Sequence, residues 1–417
     1  MKQIYLDNAS TTAVRPEVLD AMLPYFSTEF GNPSSIYPLG QRASDAVAAA
    51  RETIANLIGA KPREVYFTSG GSEADNWAIK GFAAANAQRG KHIITSAIEH
   101  HAVLHTCQSL EKQGFEVTYL PVDADGLVSP ADFEAAIRPD TILASIMFAN
   151  NEIGTVEPIA ELAKIAHAHG VTFHTDAVQA FGHEYINVRE QGIDMLSSSA
   201  HKLYGPKGVG LLYIKSGVKV DNLIDGGQQE RGRRATTENV PGIVGFAKAA
   251  ELAFAEREAE HDRQAAIRDH AIERILAEIP HAKLNGSATH RLANNINFSF
   301  EFIEGEGMLL QLAARGICTS SGSACTSGSL DPSHVLLAIG LPHEIAHGSL
   351  RMTLGRDTTL EDVDFAIDSL KTTLSNLRSM SPLYEDYKQG HAESIIENMK
   401  QAKGSDSESA LHTGVAA

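Results

Sequence analysis

The stretch VTFHTDAVQAFGHEYINVREQGIDMLSSSAHKLYGPKGVGLLYI, residues 171–214, decides the fold. It contains three short apolar runs that predict β-strands: VTFHTDA (171–177), DMLSSSA (194–200) and GVGLLYI (208–214). Four runs upstream predict further strands: EVYFTS (64–69), HIITSA (92–97), EVTYLPV (116–122) and ILASIMFA (142–149). Helical segments such as PIAELAKIAHAHG separate many of these runs. Strands alternating with helices of this length favour an α/β fold with a mainly parallel seven-stranded sheet that is covered on both faces.

The pattern changes after residue 240, where a long polar helix is predicted from Ile243 to about Ile279. Strands at ANNINFSF (293–300) and GSLRMTL (348–354) and a helix at 360–380 follow, which is typical of a smaller α+β domain. We therefore expect a large domain at 15–260, a small domain formed by 1–14 and 261–388, and a C-terminal tail at 389–417. The last residues, AKGSDSESALHTGVAA, lack periodicity and large apolar side chains, which predicts disorder.

Composition and charge exclude several classes of function. The 417 residues carry a formal net charge of -17, which argues against general binding of nucleic acid. No apolar run approaches the roughly 20 residues of a membrane span, and MKQIYLDNASTT at the start lacks the basic and apolar regions of a secretory signal. Three cysteines, an odd number, do not make a disulfide framework, so we expect a reducing, cytoplasmic location.

Reactive side chains follow two of the predicted central strands. Asp176 in TDAVQ and Lys202 in SAHK both lie at strand ends, and the carboxyl ends of parallel strands meet at one edge of a sheet. A carboxylate that pairs with a ring nitrogen and an amine that forms a Schiff base suit a pyridinium cofactor. An isolated Asp or Lys in a loop is more often a solvated charge, so neither residue decides the chemistry by itself.

A phosphate site is predicted at TSGGSEADN, residues 68–76, which follows a strand and opens a helix. Glycines such as Gly71 allow close approach of the backbone, the first N–H groups of a helix bind anions, and Ser72 adds a hydroxyl. The alternative is a capping box with Ser72 as N-cap and Asp75 three residues later, and the two interpretations are compatible. The sequence has no GxxxxGKS or GxxxxGKT loop, which disfavours a nucleoside triphosphatase.

Cys325 lies at the centre of a Gly/Ser-rich stretch, SSGSACTSGS (320–329). Small residues on both sides predict an exposed, mobile loop, which is typical of a reactive thiol. Cys107, within a helical pattern, and Cys318, beside Ile317, instead have the apolar surroundings of structural thiols. The sequence therefore favours Cys325 as a nucleophile.

Two further features have more than one interpretation. Arg351 lies in the apolar strand GSLRMTL, where a guanidinium could grip the carboxylate of an amino-acid substrate or form an ion pair within the small domain. HEIAH (343–347) matches the H-E-x-x-H zinc signature, but it lies on a short segment after Pro342 and no obvious third ligand follows. A zinc site is the less favoured interpretation of that match.

Taken together, the ordered motifs resemble those of the NifS/IscS group of cysteine desulfurases, which are fold-type I (aspartate aminotransferase-like) pyridoxal-phosphate enzymes. The resemblance extends from about Tyr5 to Tyr387, and its stretches ERGRRATTEN and SACTSGSLDPSHV are more similar to NifS than to IscS. It implies conversion of L-cysteine to L-alanine with transfer of the sulfur to Cys325 as a persulfide. The motifs that carry it are YLDNASTT, FGNPSS, FTSGGSEADN, SAIEHHAVL, NNEIGT, FHTDAVQA, SAHKLYGPKGVG, GGQQERGRRATTENV, SSGSACTSGSLDPSHV and AHGSLR.

The resemblance also implies a role for each residue of the site. Lys202 would form the Schiff base with pyridoxal 5'-phosphate, Asp176 would pair with its ring nitrogen, and Gln179 would hydrogen-bond its phenolic oxygen. His100 would stack on the ring and transfer protons. Arg351 and Asn151 would bind the substrate carboxylate, with Asn151 also near the cofactor. The remaining cofactor-binding residues would be Gly71, Ser72, Ser199, Ala200, His201 and, reaching across a homodimer, Thr237 of the partner subunit.

The resemblance implies an iron–sulfur scaffold protein as sulfur acceptor, with iron contacted only transiently through the Cys325 persulfide. The NifS-like stretches favour supply of nitrogenase clusters, but housekeeping cluster assembly and tRNA thiolation need the same active site and stay open. The alternatives are an aminotransferase or selenocysteine lyase, a zinc hydrolase built on HEIAH, and an inactive sulfur relay. The Cys325 stretch argues against a plain aminotransferase, since transamination needs no nucleophilic thiol.

Overall fold

The strands of the protein form one large sheet and two small ones. The computed structural model describes residues 2–321 and 332–401 of the chain. Its strands are β1 (Ile4–Tyr5), β2 (Val65–Thr68), β3 (His92–Ser96), β4 (Glu116–Leu120), β5 (Thr141–Ser145), β6 (Thr172–Asp176), β7 (Met195–Ser199), β8 (Gly210–Ile214), β9 (Ala282–Leu284), β10 (Asn295–Phe300), β11 (Ile317–Cys318) and β12 (Ser349–Thr353).

Helices cover the sheets, and several begin where the local sequence favours a helix start. Proline lies in the first turn of the two longest helices before residue 300, where a missing N–H costs nothing. Thr359 and Asp362 form a capping box at the start of another. The helices are α1 (Pro16–Met22), α2 (Pro24–Ser27), α3 (Pro38–Leu57), α4 (Gly71–Asn76), α5 (Phe82–Asn86), α6 (His101–Glu111), α7 (Pro130–Ala136), α8 (Ile159–Ala168), α9 (Gln229–Gly232), α10 (Val240–Glu278), α11 (Gly305–Ala313), α12 (His334–Ala338), α13 (His343–His347), α14 (Leu360–Ser379), α15 (Pro382–Lys388) and α16 (395–401).

The large sheet has the strand order β2-β8-β7-β6-β5-β3-β4. Its neighbouring strands are parallel except at β8, which is antiparallel to both β2 and β7. The seven-stranded, mainly parallel sheet predicted from the sequence is therefore confirmed. Strands β3, β5 and β7 are buried along their whole length because helices cover both faces, whereas β4, at the edge, is only partly buried.

The smaller sheets lie in the second region, which α10 joins to the first. Strands β12, β10 and β9 form an antiparallel sheet, and β1 pairs in parallel with β11. The first part of α10 packs through Phe246 and Ala250 into the core of the large sheet, and its second part packs through Ala271 and Ile275 into the core of the small one. The long helix predicted near residue 243 is confirmed; the domain limits expected from the sequence stay a prediction.

The carboxyl ends of β2, β3, β5, β6 and β7 meet at one edge of the large sheet. Helix α4 starts directly after β2, α6 starts soon after β3, and Asp176 and Ser199 end β6 and β7. Parallel strands place ligand-binding groups at this edge, so it is the expected position of a site. Within the described residues, no helix combines the length and apolar character needed to cross a membrane.

The C-terminal helix α16 is held to the body of the protein by one buried carboxylate. Glu301 accepts hydrogen bonds from Ser394 Oγ at 2.6 Å and from the backbone N–H of Ile395 at 2.7 Å. Ile396 is fully buried and packs in a cluster that includes Leu336 of α12. The predicted disordered stretch AKGSDSESALHTGVAA lies outside the described residues, so only the part of the tail up to residue 401 is described here.

Candidate active site

A cavity of about 400 Å³ opens at the carboxyl edge of the large sheet. Its wall includes side chains of the large sheet and of the three-stranded sheet, because Arg351 of β12 lines the same space as Asp176 of β6. Its volume lies within the range of small-molecule sites. The residues that line it are Ala9, Ser10, Gly71, Ser72, Asp75, His100, His101, Met147, Ala149, Asn151, Glu152, Asp176, Val178, Gln179, Ser199, His201, Lys202, His334 and Arg351.

Asp176, the last residue of β6, presents a buried carboxyl group to this cavity. The residue is 5% exposed, and its Oδ1 accepts a hydrogen bond from Val178 N at 2.9 Å. Burial raises the pKa of Asp176 to about 6, while the nearby Lys202 ammonium group opposes the rise. A cation brought next to Asp176 would restore its ionised form, because the charge pair is shielded from water. The geometry therefore suits a protonated ring nitrogen.

Lys202 follows β7 in a short 3₁₀ turn and lines the cavity. Its Nζ donates to the carbonyl oxygens of Ala9 and Ser10 at 2.5 and 2.8 Å. Gln179 Nε2 donates to the same Ala9 carbonyl at 3.0 Å. The segment YLDNASTT near the start of the chain therefore positions both the amine and the amide that were predicted to contact the cofactor.

His100 is the N-cap of α6, and this role fixes its tautomer. Its Nδ1 accepts a hydrogen bond from the Ala102 N–H at 3.1 Å, so the proton of the neutral ring lies on Nε2. Burial, followed by the neighbouring Lys202 charge, lowers the pKa of His100 to about 4. At neutral pH His100 is therefore an uncharged imidazole whose Nε2–H can donate a hydrogen bond.

The start of α4 supplies backbone N–H groups to the cavity. The N-cap is Gly70 and Ser72 lies inside the first turn, so the alternative with Ser72 as N-cap is wrong. A Cβ at Gly71 would lie 2.6 Å from Val178 Cγ2, so only glycine lets the helix start approach this closely. His201 lines the same cavity, with its Nδ1 3.1 Å from Thr11 Oγ1, and burial lowers its pKa to about 4.

Arg351 is 2% exposed and joins the small sheet to the cavity. Its Nη2 donates to Asp7 Oδ1 and to Ser10 Oγ, each at 2.8 Å. Its Nη1 donates to the Asn151 carbonyl oxygen at 2.7 Å. The sequence left open an ion pair within the small domain or a grip on a substrate carboxylate. The structure shows the ion pair with Asp7 and places Arg351 at the cavity, and its contact with a substrate carboxylate stays a prediction.

Two predicted site residues that the structure describes are not part of the cavity wall. Ala200 is fully buried between Ser199 and His201, and Thr237 is exposed. Its predicted contribution across a dimer stays a prediction. Cys325 lies outside the described residues.

The other two cysteines lie in different surroundings. Cys107 is fully buried, which raises the pKa of its thiol to about 12 and confirms a structural residue. Cys318 is only partly buried, with Gln3 Nε2 3.3 Å from its sulfur atom. The apolar setting predicted for Cys318 is therefore confirmed only in part.

The HEIAH segment forms the five-residue helix α13. The side chains of His343, Glu344 and His347 are exposed. Among the residues that the structure describes, no group of three or more His, Cys, Asp and Glu side chains is placed to hold a metal ion. The described part of the chain therefore offers no zinc site at this motif.

Comparison with known proteins shows the family of this chain. Residues 4–365 match the model of the family described as aminotransferase class-V. The chain belongs to this family.

A relative from Methanosarcina thermophila, named cysteine desulfurase IscS, is 60% identical over 382 residues, 92% of this chain and 94% of the relative. A solved structure of a NifS-like protein has a TM-score of 0.85 at 37% identity and covers 90% of this chain and 100% of that chain. A structure described as SspA in complex with cysteine has a TM-score of 0.75 at 41% identity, with coverages of 85% and 99%.

Class-V aminotransferases depend on pyridoxal phosphate, and the cavity fits this cofactor. The start of α4 offers N–H groups to a phosphate, the buried Asp176 offers a carboxyl group to the ring nitrogen, and Lys202 offers an amine. All three come from separate strand ends of the large sheet. When bound, the cofactor would supply an electron sink for bonds at the α-carbon of an amino acid.

Sequence reasoning assigned no site role to several residues of the cavity. Three of them, Ser10, Glu152 and His334, lie inside motifs that carry the family resemblance, YLDNASTT, NNEIGT and SLDPSHV, so a signal was present. Asp75 was interpreted only as a capping residue. The others without a sequence-based role are Ala9, His101, Met147, Ala149 and Val178.

Proposed function

We propose that the protein is a pyridoxal-phosphate-dependent cysteine desulfurase, which converts L-cysteine to L-alanine and transfers the sulfur to Cys325 as a persulfide. One observation carries the proposal. A single cavity joins the Lys202 amine, the Asp176 carboxyl group and the Arg351 guanidinium in a chain that is 60% identical to a protein named cysteine desulfurase. The neighbour described as a complex with cysteine supports the same substrate.

The substrate would be oriented by its carboxylate. Arg351 is held in place by Asp7 and Ser10, and the positive charge of its buried guanidinium can pair with a carboxylate. Asn151 lies beside it, since its carbonyl oxygen already accepts from Nη1 of the arginine. The α-carbon and sulfur of the substrate would then point into the cavity.

Two side chains are placed to assist proton transfer. Lys202 can take up and return a proton at Nζ, and the carbonyl groups of Ala9 and Ser10 stabilise the charged form. His100 can donate a hydrogen bond from its Nε2–H to a group that gains or loses a proton, because its Nδ1 is occupied by the Ala102 N–H. The low pKa of His100, about 4, keeps the ring neutral during the reaction.

The sulfur step would break the C–S bond of cysteine and form an S–S bond with Cys325 as thiolate, with protons completing alanine and the persulfide. Both ends of the segment that contains Cys325 support this role. Ser320 pairs with Arg351 through backbone hydrogen bonds, and Ser333 Oγ donates to the cavity residue Glu152. Cys325 follows Ser320 by only five residues in the sequence, which supports its proposed action at the cavity.

We further propose a cytoplasmic homodimer that delivers sulfur to an iron–sulfur scaffold protein. Leu23, Phe26, Phe30 and Ile36 are exposed on neighbouring segments near the N-terminus, and such a surface is typical of a protein interface. Contact of Cys325 with iron would be transient, through its persulfide. Supply of nitrogenase clusters is the finer form of this proposal, supported by the NifS-like stretches of the sequence.

The decisive experiment measures alanine and sulfide release from L-cysteine in the presence of a thiol reductant, together with the visible spectrum. Wild type should be yellow and release the two products in equal amounts. Cys325→Ala should be equally yellow and release neither, whereas Cys318→Ala, the matched control, should behave like wild type. A colourless wild type or undiminished turnover by Cys325→Ala would refute the proposal.

A further inference from the structure

The cavity contains a second buried carboxyl group that the proposed mechanism does not use. Asp75 of α4 lines the cavity together with Asp176 and is 1% exposed. Among the described residues, its Oδ1 has no hydrogen-bond partner. Burying a carboxylate without a partner is costly, so Asp75 needs either a cation or a proton.

The nearest imidazole does not supply a positive charge. His174 Nε2 lies 3.8 Å from Asp75 Oδ1, but the ring is fully buried and burial lowers the pKa of His174 to about 3. Both of its nitrogens are engaged by hydroxyl groups, Ser197 Oγ at 2.9 Å and Ser145 Oγ at 2.8 Å. Asp75 also hydrogen-bonds Ser197. A neutral, buried hydrogen-bond chain therefore leads from Asp75 across strands β7, β6 and β5.

The titratable groups that face Asp75 are two other buried carboxyl groups and the neutral imidazole of His174. Burial first, and then Asp176 and Glu99, raise the pKa of Asp75 well above its ordinary value. The nearest ammonium group in the cavity, that of Lys202, acts on Asp176 and lowers the pKa of that residue instead. Two neighbouring buried carboxyl groups do not both ionise, because like charges repel strongly where water is excluded. The proton therefore belongs on Asp75 and the charge on Asp176.

We propose that Asp75 is a positioning residue of the cofactor site: it keeps its proton, hydrogen-bonds Ser197, and thereby leaves Asp176 as the single ionised carboxylate beside the ring nitrogen of bound pyridoxal phosphate. The inference rests on the proposed function, because it assigns a role toward the same cofactor.

The test titrates cofactor-free protein with pyridoxal phosphate at pH 7 and measures the dissociation constant. Asp75→Asn keeps a neutral hydrogen-bonding group, so its dissociation constant should stay within about twofold of wild type. Asp75→Leu removes the polar group that contacts Ser197 and thereby loosens the cofactor site, so the dissociation constant for pyridoxal phosphate should rise about tenfold. Tenfold weaker binding by Asp75→Asn would show that Asp75 is ionised, and wild-type affinity in Asp75→Leu would show that it has no role; either result overturns the proposal.

Glu99→Gln is the matched control. Glu99 is also fully buried, and burial raises its pKa to about 8, but it does not line the cavity. Its substitution should leave the dissociation constant for pyridoxal phosphate unchanged. In urea unfolding of the cofactor-free proteins, both Asp75→Asn and Glu99→Gln should gain stability over wild type as pH rises from 5 to 8. The sign follows because a carboxyl group whose folded pKa is raised costs nothing while protonated in both states and costs more as pH increases.

The titration distinguishes failure of the proposed function from failure of the proposed role of Asp75. If wild type does not bind pyridoxal phosphate at all, the proposed function fails. If wild type binds it and the Asp75 variants give either contrary result, only the role of Asp75 fails. The unfolding curves show whether the Asp75→Leu variant is folded, and Asp75→Asn, which changes neither shape nor volume appreciably, keeps the proposal testable if it is not.

Discussion

A buried ion pair outside the cavity wall gives a prediction whose size follows from its geometry. Arg51 of α3 binds Glu230 through two parallel hydrogen bonds, at 2.6 and 2.9 Å, and the side chains are 11% and 3% exposed. Glu230 also accepts from the Phe67 N–H at 3.2 Å, and Arg51 donates to the Val65 carbonyl oxygen at 2.8 Å. The ion pair therefore holds the segment between Glu230 and Thr237 against strand β2.

Glu230→Gln should destabilise the protein by about 3–5 kcal/mol, because it leaves the Arg51 guanidinium buried without its counter-charge. Arg51→Met should cost a similar amount for the converse reason. The double variant should cost clearly less than the sum of the two, since no unpaired charge remains in it. If Thr237 contacts cofactor across a dimer, Glu230→Gln should also weaken binding of pyridoxal phosphate, because the segment that carries this residue loses its anchor.

The assay is urea unfolding of the cofactor-free proteins followed by far-UV circular dichroism, with the double-mutant cycle completed from four curves. Lys248→Ala is a suitable control, because its pair with Glu251 is largely exposed and should contribute less than about 1 kcal/mol. A loss below 1 kcal/mol for Glu230→Gln would refute the reasoning. Strict additivity of the two substitutions would do so as well, since it would mean that the charges do not interact.

Other residues give predictions of different kinds. Arg351→Lys should raise the KM for L-cysteine by about 10–100-fold without changing the visible spectrum of the bound cofactor. The reason is that one ammonium group does not replace a guanidinium that contacts several groups. An unchanged KM in steady-state kinetics would contradict this prediction. Trp77→Ala should lower the free energy of unfolding measured in urea by about 3–5 kcal/mol, since the ring is fully buried and its Nε1 donates to the Asp221 carbonyl oxygen at 2.9 Å. A change near zero would contradict this packing. Burial raises the pKa of Glu157 to about 8, so Glu157→Gln should become increasingly more stable than wild type from pH 5 to 8, by at most about 1.4 kcal/mol per pH unit; a constant difference in unfolding free energy across this range would contradict the assignment.

The site was predictable in part because its chemistry is concentrated at strand ends. Asp176 and Lys202 could be found from the sequence, since apolar runs mark the strands and polar residues mark where they end. The local alternative for Ser72 failed because a capping box and a glycine-started helix have the same sequence pattern, and only the backbone shows where the helix begins. Asp75 was misjudged for the same reason, as its position inside α4 turns it toward the cavity.

The sequence by itself determined the elements: seven strands of the large sheet, the long helix α10 and the strands β10 and β12 all follow from periodicity along neighbouring residues. Tertiary structure alone decided which distant groups share one environment. It joined Arg351 to Asp7, Arg51 to Glu230, and Glu301 to the start of α16. Periodicity indicates only which face of an element is buried. The protonation of these groups and the strength of their interactions depend on partners that lie 94 to 344 residues away in the chain, and on the removal of water from between them during folding.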